Sequence, residues 1–236
     1  MSIQTMSRQR RQNLTRLVMV GIAIAGILSL GSCGLLGFGA SDLSVSFRLA
    51  DSSAPSAQAL TTNPEWTVAE ARITEIVFDH DIGDDSVSYT EPTVSTVNLI
   101  TGESEPPLPS YTLEPGTYKS LNFGAELLDN GTDPSIKLEG SWNGQDIRVI
   151  FKSGEVFESF ADELIVEPGQ EYAIEVVLDP DQWFSTMSDS DLENADTGAD
   201  GVIEISPTAN DSLYDAHFAP ALDQSTQVVF PGGTVE

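Results

Sequence analysis

Two histidines, one cysteine and 37 acidic side chains are the residues of this 236-residue chain with chemistry to offer. Histidine titrates closest to neutral pH and is the usual proton-transfer group. His80 lies in "FDHDIGDD" (78–85) and His217 in "SLYDAHFAPALDQ" (212–224). Neither has the H-E-x-x-H spacing of a zinc site, and the chain has no G-x-S-x-G elbow, P-loop or C-x-x-C pair. Paired carboxylates can hydrolyse glycosides, but among so many acids close pairs arise without selection and carry no signature. The pattern is not that of an enzyme.

Two acidic stretches have the composition of metal sites. Asp79, Asp81, Asp84 and Asp85 surround His80 with oxygens, though a solvated acidic turn explains them better. "DSDLENADTGADGVIEI" gathers Asp189, Asp191, Glu193, Asp196 and Asp200. Asp196, Asp200, Gly201 and Ile203 match positions 1, 5, 6 and 8 of an EF-hand loop. Gly198 and Pro207 then stand at positions 3 and 12, where oxygen ligands are required, so a true EF-hand is excluded. A solvated linker is the simpler expectation. A weak calcium site of Asp189, Asp191, Asp196 and Asp200, with a dissociation constant of about 10⁻⁴–10⁻³ M, is the alternative. No other cofactor is expected. Trp66, Trp142 and Trp183 could stack sugars, but large aromatics more often cap a core.

Cys33 has a different role. Arg8, Arg10, Arg11 and Arg16 precede an apolar run from Leu17 to Leu30 and then small residues, the layout of a secretory signal. The run is shorter than the roughly 20 residues of a comfortable membrane span. Leu30-Gly31-Ser32-Cys33 resembles the lipobox of bacterial lipoproteins. The resemblance implies a diacylglycerol thioether on Cys33, cleavage before it and acylation of the new amine. Several acyl chains hold a protein to a bilayer where one is marginal. Gly34 follows the cysteine where, by family analogy, an aspartate would favour the inner membrane, so the outer membrane is expected.

Beyond the leader the basic residues are Arg48, Arg72, Lys119, Lys137, Arg148 and Lys152, against all 37 acids. Such a chain does not suit nucleic acid, whose phosphates demand a basic surface. With no second cysteine, no disulfide stabilises the exported domain, and a packed core must do so.

The elements that would build that core are short strands. "DLSVSFRLA" alternates Leu43, Val45, Phe47 and Leu49 with polar residues. Residues 51–64 read as a loop. "WTVAEARITEIVFD" (66–79) is ambiguous, and its β-branched second half favours a strand. "SIKLEGSWNGQDIRVIF" (135–151) is a hairpin about a type I′ turn at Asn143-Gly144. Pairing Trp142 with Gln145 sets Gly140, Leu138 and Ile136 opposite Ile147, Val149 and Phe151 on one face. Glu139 then faces Arg148 on the other. "YTLEPGTYKSLNF" (111–123) and "LIVEPGQEYAIEVVLD" (164–179) repeat Glu-Pro-Gly before a tyrosine, suiting type II turns. Asp179 and Pro180 read as the cap and first residue of a helix. Residues 188–201 read as an acidic loop, 202–205 as a short strand, and 212–224 as a helix kinked or ended near Pro220.

"LEPGTYKSLNF" is similar to the L-x-x-G-x-Y element of transthyretin-like and carboxypeptidase-regulatory-like domains. "VNLITGE", "LEPGTY" and "VEPGQEYAIEVVLDPDQWF" are similar to bacterial lipoproteins carrying an uncharacterised domain over about residues 43–184. The resemblance implies a mainly β, antiparallel transthyretin- or Ig-like sandwich with short C-terminal helices, and no catalytic residues. The expected organisation is a signal peptide (1–32), the lipidated Cys33 and tether (33–42), the sandwich (43–184) and an acidic loop with helical extension (185–236). The expected function is that of a non-enzymatic envelope lipoprotein. It would attach to the outer membrane through the lipid on Cys33 and serve as an interaction or structural module with a protein or glycan partner. A surface binder of glycan or calcium is the alternative.

Overall fold

Residues 66–79 belong to the longest strand of the protein, β2 (Glu65–Ile82), in a computed structural model that describes residues 39–50 and 60–231. The leader, Cys33 and most of the tether lie outside the described residues, as does 51–59 of the loop expected over 51–64. What is described belongs to one unit, Phe38–Glu236.

β2 is the spine of the larger sheet. Along one side it pairs with β3 (Asp85–Asn98). Along the other it pairs first with β7 (Ile136–Trp142) and then with β6 (Gly116–Leu127). Ala69, Ala71 and Ile73 face the core, then Ile76, Phe78 and His80. A strict two-residue period would turn one of these sets outward. A bulge between Ile73 and Glu75 absorbs the extra residue, and the Thr74 hydroxyl there donates to the Glu126 carbonyl at 3.2 Å.

The sheet continues through β8 (Gln145–Phe151) to β11 (Ile203–Ile205) at one end and β4 (Ser104–Glu105) at the other. β9 (Val156–Val166) pairs with β6. The smaller sheet has the order β12 (Thr226–Val229), β10 (Glu171–Leu178), β1 (Ser41–Leu49), β5 (Ser110–Leu113). The protein is thus mainly β, with two sheets and a few short helices. Most pairings are antiparallel; β1–β10 and β8–β11 are parallel, each joined through long intervening chain.

The β7–β8 register is the one expected, from Ile136 opposite Phe151 to Trp142 opposite Gln145. Gly140 is required there for a reason of space. A Cβ on it would lie 2.0 Å from the Glu65 carbonyl oxygen where β2 begins.

The Glu-Pro-Gly repeat divides. Gly169 has φ +69°, as a type II turn demands. Gly116 does not turn and begins β6, because Glu114-Pro115 carries the chain from the smaller sheet to the larger. Both tyrosines nonetheless tie their corners. The Tyr118 hydroxyl donates to the Glu114 carbonyl at 2.8 Å, the arrangement of a tyrosine corner. The Tyr172 hydroxyl accepts from the Glu167 N–H at 2.8 Å.

The tail closes the core. α1 (Pro180–Trp183) is capped by Asp179, whose carboxylate accepts from the Asp181 N–H at 3.1 Å. The stretch expected to be a loop holds α2 (Asp189–Glu193), started by a capping box of Ser188 and Asp191. α3 (Asp211–Leu213) runs through a π-helical turn (Tyr214–Phe218) into α4 (Ala219–Ser225). The widening falls immediately before Pro220, whose ring would clash with the carbonyl four residues back in a regular helix. Trp183, Phe184 and Phe218 are buried, with ring centroids 5.0 Å apart for Phe151–Trp183 and 4.9 Å for Phe184–Phe218. Among the described residues no helix is long and apolar enough to cross a membrane.

Candidate functional site

His80 and its acids are separated by the strand that carries them. β2 and β3 join at Gly83-Asp84, with φ +62° at Gly83. Alternation along β2 sends His80 inward and Asp79 and Asp81 the other way. Asp84 and Asp85 sit exposed at the turn. His80 is 4% exposed and packs edge-on to Tyr118 at 4.7 Å, with Phe78 at 5.3 Å and Tyr89 at 6.0 Å. Tyr111 completes the cluster against Phe78 and Tyr89.

Among the described residues neither His80 nitrogen has a hydrogen-bond partner, and the Tyr111 hydroxyl has none. Burial lowers the His80 pKa against the opposing pull of Asp81 and Asp79. Burial, with the nearby Glu91 and Tyr89, pushes Tyr111 up to about 12. The cluster is neutral and enclosed near pH 7, which suits packing and not proton exchange with a substrate.

Three of the acids of 189–200, Asp189, Asp191 and Asp200, are engaged separately through their carboxylates. Asp189 accepts from the Thr61 N–H at 3.0 Å and the Thr61 hydroxyl at 2.7 Å. Asp191 accepts from the Ser188 N–H at 2.8 Å, and the Ser188 bonds hold its carboxyl below the usual range. Asp196 is held through its backbone, which exchanges hydrogen bonds with the Asn210 side chain. Asp200 lies 3.8 Å from Arg148. Among the described residues no three His, Cys, Asp or Glu side chains converge as a metal site would require.

The tryptophans serve the core. Trp142 and Trp183 are buried and donate to the Thr62 carbonyl and the Ser225 hydroxyl. Trp66 packs on Phe184 at 6.0 Å. Outside the β7–β8 hairpin, Arg148 pairs with Glu139 at 2.8 Å and Glu204 at 3.3 Å, fastening β11 to β8.

Two features escape a reading of the sequence. A cavity of about 250 Å³ opens between α1 and the helical tail, lined by Gln182, Thr186, His217, Ala221, Gln224 and Ser225. Thr186 Oγ1 and His217 Nδ1 lie 2.7 Å apart in it. Their 31-residue separation carries no motif; the only hint was the helix containing Pro220. The second feature is β9, on which Val156, Phe160 and Ile165 are 39%, 72% and 61% exposed. Here the hint was an apolar–acidic alternation in "VFESFADELIV".

No family model, curated protein or solved structure matches this chain.

Proposed function

We propose that the protein is a lipid-anchored envelope protein of the bacterial outer membrane, whose sandwich acts as a non-enzymatic interaction module. The Leu30–Cys33 motif after a basic, apolar leader supports the address. The observation that carries the molecular role is the apolar surface of β9, where Val156 and Phe160 stand exposed together on an edge strand. Its titratable groups support the same reading, being engaged in caps, ion pairs and an enclosed aromatic cluster. The described chain begins at Gly39, and the link from Cys33 spans at most about 20 Å when extended. The domain would therefore work close to the bilayer.

The anchor is tested by metabolic labelling with a fatty-acid analogue. Wild type should be marked and Cys33→Ser should not; label in both removes the lipid from the reading.

A second reading, a surface ligand binder, draws on the cavity at His217. Its described lining sets hydroxyls, amides and an imidazole beside the apolar Ala216, Pro220 and Ala221. That chemistry fits a neutral polyhydroxylated ligand such as a glycan unit. Its volume lies near the low end of ligand cavities, about 300 Å³. Saturable heat with a panel of envelope sugars, lost in His217→Ala, would favour it.

A further inference from the structure

We infer that β9 is a strand-addition site for an extended, basic segment of a partner protein; this rests on the interaction-module reading and specifies its chemistry. Among the described residues β9 pairs on one side only, with β6. β12 approaches it from the smaller sheet and forms no ladder with it. The phase of the open edge follows from one bond. The Leu127 N–H donates to the Glu155 carbonyl at 2.9 Å, and the β6–β9 register then runs without a shift. Backbone groups alternate in direction along an antiparallel strand. Residues of odd number from Phe157 therefore bond to β6, and Val156, Glu158 and Phe160 present their N–H and C=O groups to the open edge.

The side chains of those same three residues are exposed, in the order apolar, acidic, aromatic. An added strand would set its own side chains beside them: apolar against Val156, cationic against Glu158, and apolar or guanidinium against Phe160. Charge selects the occupant. β9 carries Glu158, Asp162 and Glu163, and the only basic residue across its ladder is Lys119, opposite Glu163. This edge accepts cations and supplies almost none.

A second copy is a poor occupant. Antiparallel pairing centred on Phe160 would set Glu158 of one copy against Asp162 of the other, and like charges directly opposite destabilise a sheet. The remaining segments of the chain from Cys33 onward are no better, since 33–38, 51–59 and 232–236 contain no lysine or arginine. Exposed edges on proteins that avoid pairing carry lysine, proline or bulges. β9 has none of the first two, and from Val156 to Ala161 it pairs with β6 residue for residue, the one gap in the ladder being Asp162 opposite Ser120.

The test uses the chain from residue 33 with Cys33→Ser, and two labelled peptides. In one, threonine alternates with valine and lysine; in the other glutamate replaces lysine. The lysine peptide should bind at least tenfold more tightly, and should weaken at least tenfold between about 50 and 500 mM salt, where the Debye length shrinks several-fold. Phe160→Ser should weaken it about tenfold. Amides of Val156, Glu158 and Phe160 should gain exchange protection. Glu158→Pro removes an edge N–H without touching the β6 ladder, so it should abolish binding with little change in melting temperature, whereas Phe157→Pro should unfold the edge. Equal binding of both peptides, absent protection, or binding retained in Glu158→Pro overturns the proposal. So does a dimer of the protein alone that Phe160→Ser dissolves. A photocrosslinker at position 160 in cells separates the two levels. A protein adduct surviving Glu158→Pro refutes strand addition only, and no adduct at all also removes the interaction-module reading.

Discussion

Two hairpins of the larger sheet, β7–β8 and β2–β3, use the same two-residue turn length and opposite kinds of interior. Inside β7–β8 lie Ile136, Leu138, Ile147, Val149 and Phe151, with the charges of Glu139 and Arg148 on the far side. Inside β2–β3 lies His80, with Phe78, among three tyrosines and without a hydrogen bond. One hairpin separates polar from apolar completely. The other buries a titratable ring, and so makes stability depend on pH. Alternation assigns a residue to a face without regard to its chemistry, which is why the acids flanking His80 in sequence are not its partners in space.

The comparison is broken most severely by truncating the apolar hairpin. Phe151→Ala removes a ring that touches Trp183, Tyr214 and Phe218, and should destabilise the protein by about 3–5 kcal/mol. Arg148→Ala on the outer face should lose less, about 1–2 kcal/mol, since the guanidinium is partly covered and joins Glu139 to Glu204. Denaturant melts distinguish them; equal losses would show that the two faces are not segregated as described.

The histidine hairpin should show its difference in acid. His80 has a folded pKa below its unfolded value of about 6.5, so the unfolded chain binds the proton first. Its contribution is neutral above that pH, and stability falls as pH drops below about 6.5. His80→Phe keeps an aromatic ring and removes two unpartnered nitrogens. It should flatten this limb and raise stability at pH 5 by about 1–3 kcal/mol. Parallel acid limbs in variant and wild type would show that His80 is not the source of the pH dependence.

Corner bonds are the next smaller effect. Tyr118→Phe removes the hydroxyl bond to Glu114 where the chain changes sheets, and should lose about 1 kcal/mol. Tyr172→Phe removes the corresponding bond at a turn that Gly169 already shapes, and should lose less. Chemical denaturation of the two single variants ranks them.

How much of this was legible follows from the range of the interactions. The β7–β8 register, the Asp179 cap and the strand identity of β1 are fixed by neighbours within a few residues, and each is as the pattern implies. The Glu-Pro-Gly repeat was half legible. Its local chemistry is the same twice, but whether glycine turns depends on which sheet receives the next strand, a long-range matter. The bulge at Thr74 had no local signature, and the solvent-facing edge of β9 and the Thr186–His217 cavity had only faint ones, because each exists only where distant segments meet. In the acidic segment composition suggests oxygens for a cation, and the structure gives Asp189, Asp191 and Asp200 partners in Thr61, Ser188 and Arg148 that no local pattern announces.

Calcium tests that last point and should give the smallest effect. A site with a dissociation constant of about 10⁻³ M would stabilise the fold by about 1 kcal/mol at about 5 mM calcium. For a domain of this size that amounts to a melting shift of roughly 2–4 °C. To bind, calcium must displace the Thr61 bonds of Asp189 and the Ser188 bonds of Asp191, and must draw Asp200 from Arg148. Each bond lost offsets part of the gain, so the expected shift is under about 2 °C. Magnesium, equal in charge but more reluctant to shed water, should give less still if the effect is coordination and the same if it is screening. Asp196→Ala/Asp200→Ala decides between them. A calcium shift that disappears in this variant assigns coordination to the loop, and one that persists assigns it to general relief of repulsion in a region without a basic residue after Lys152.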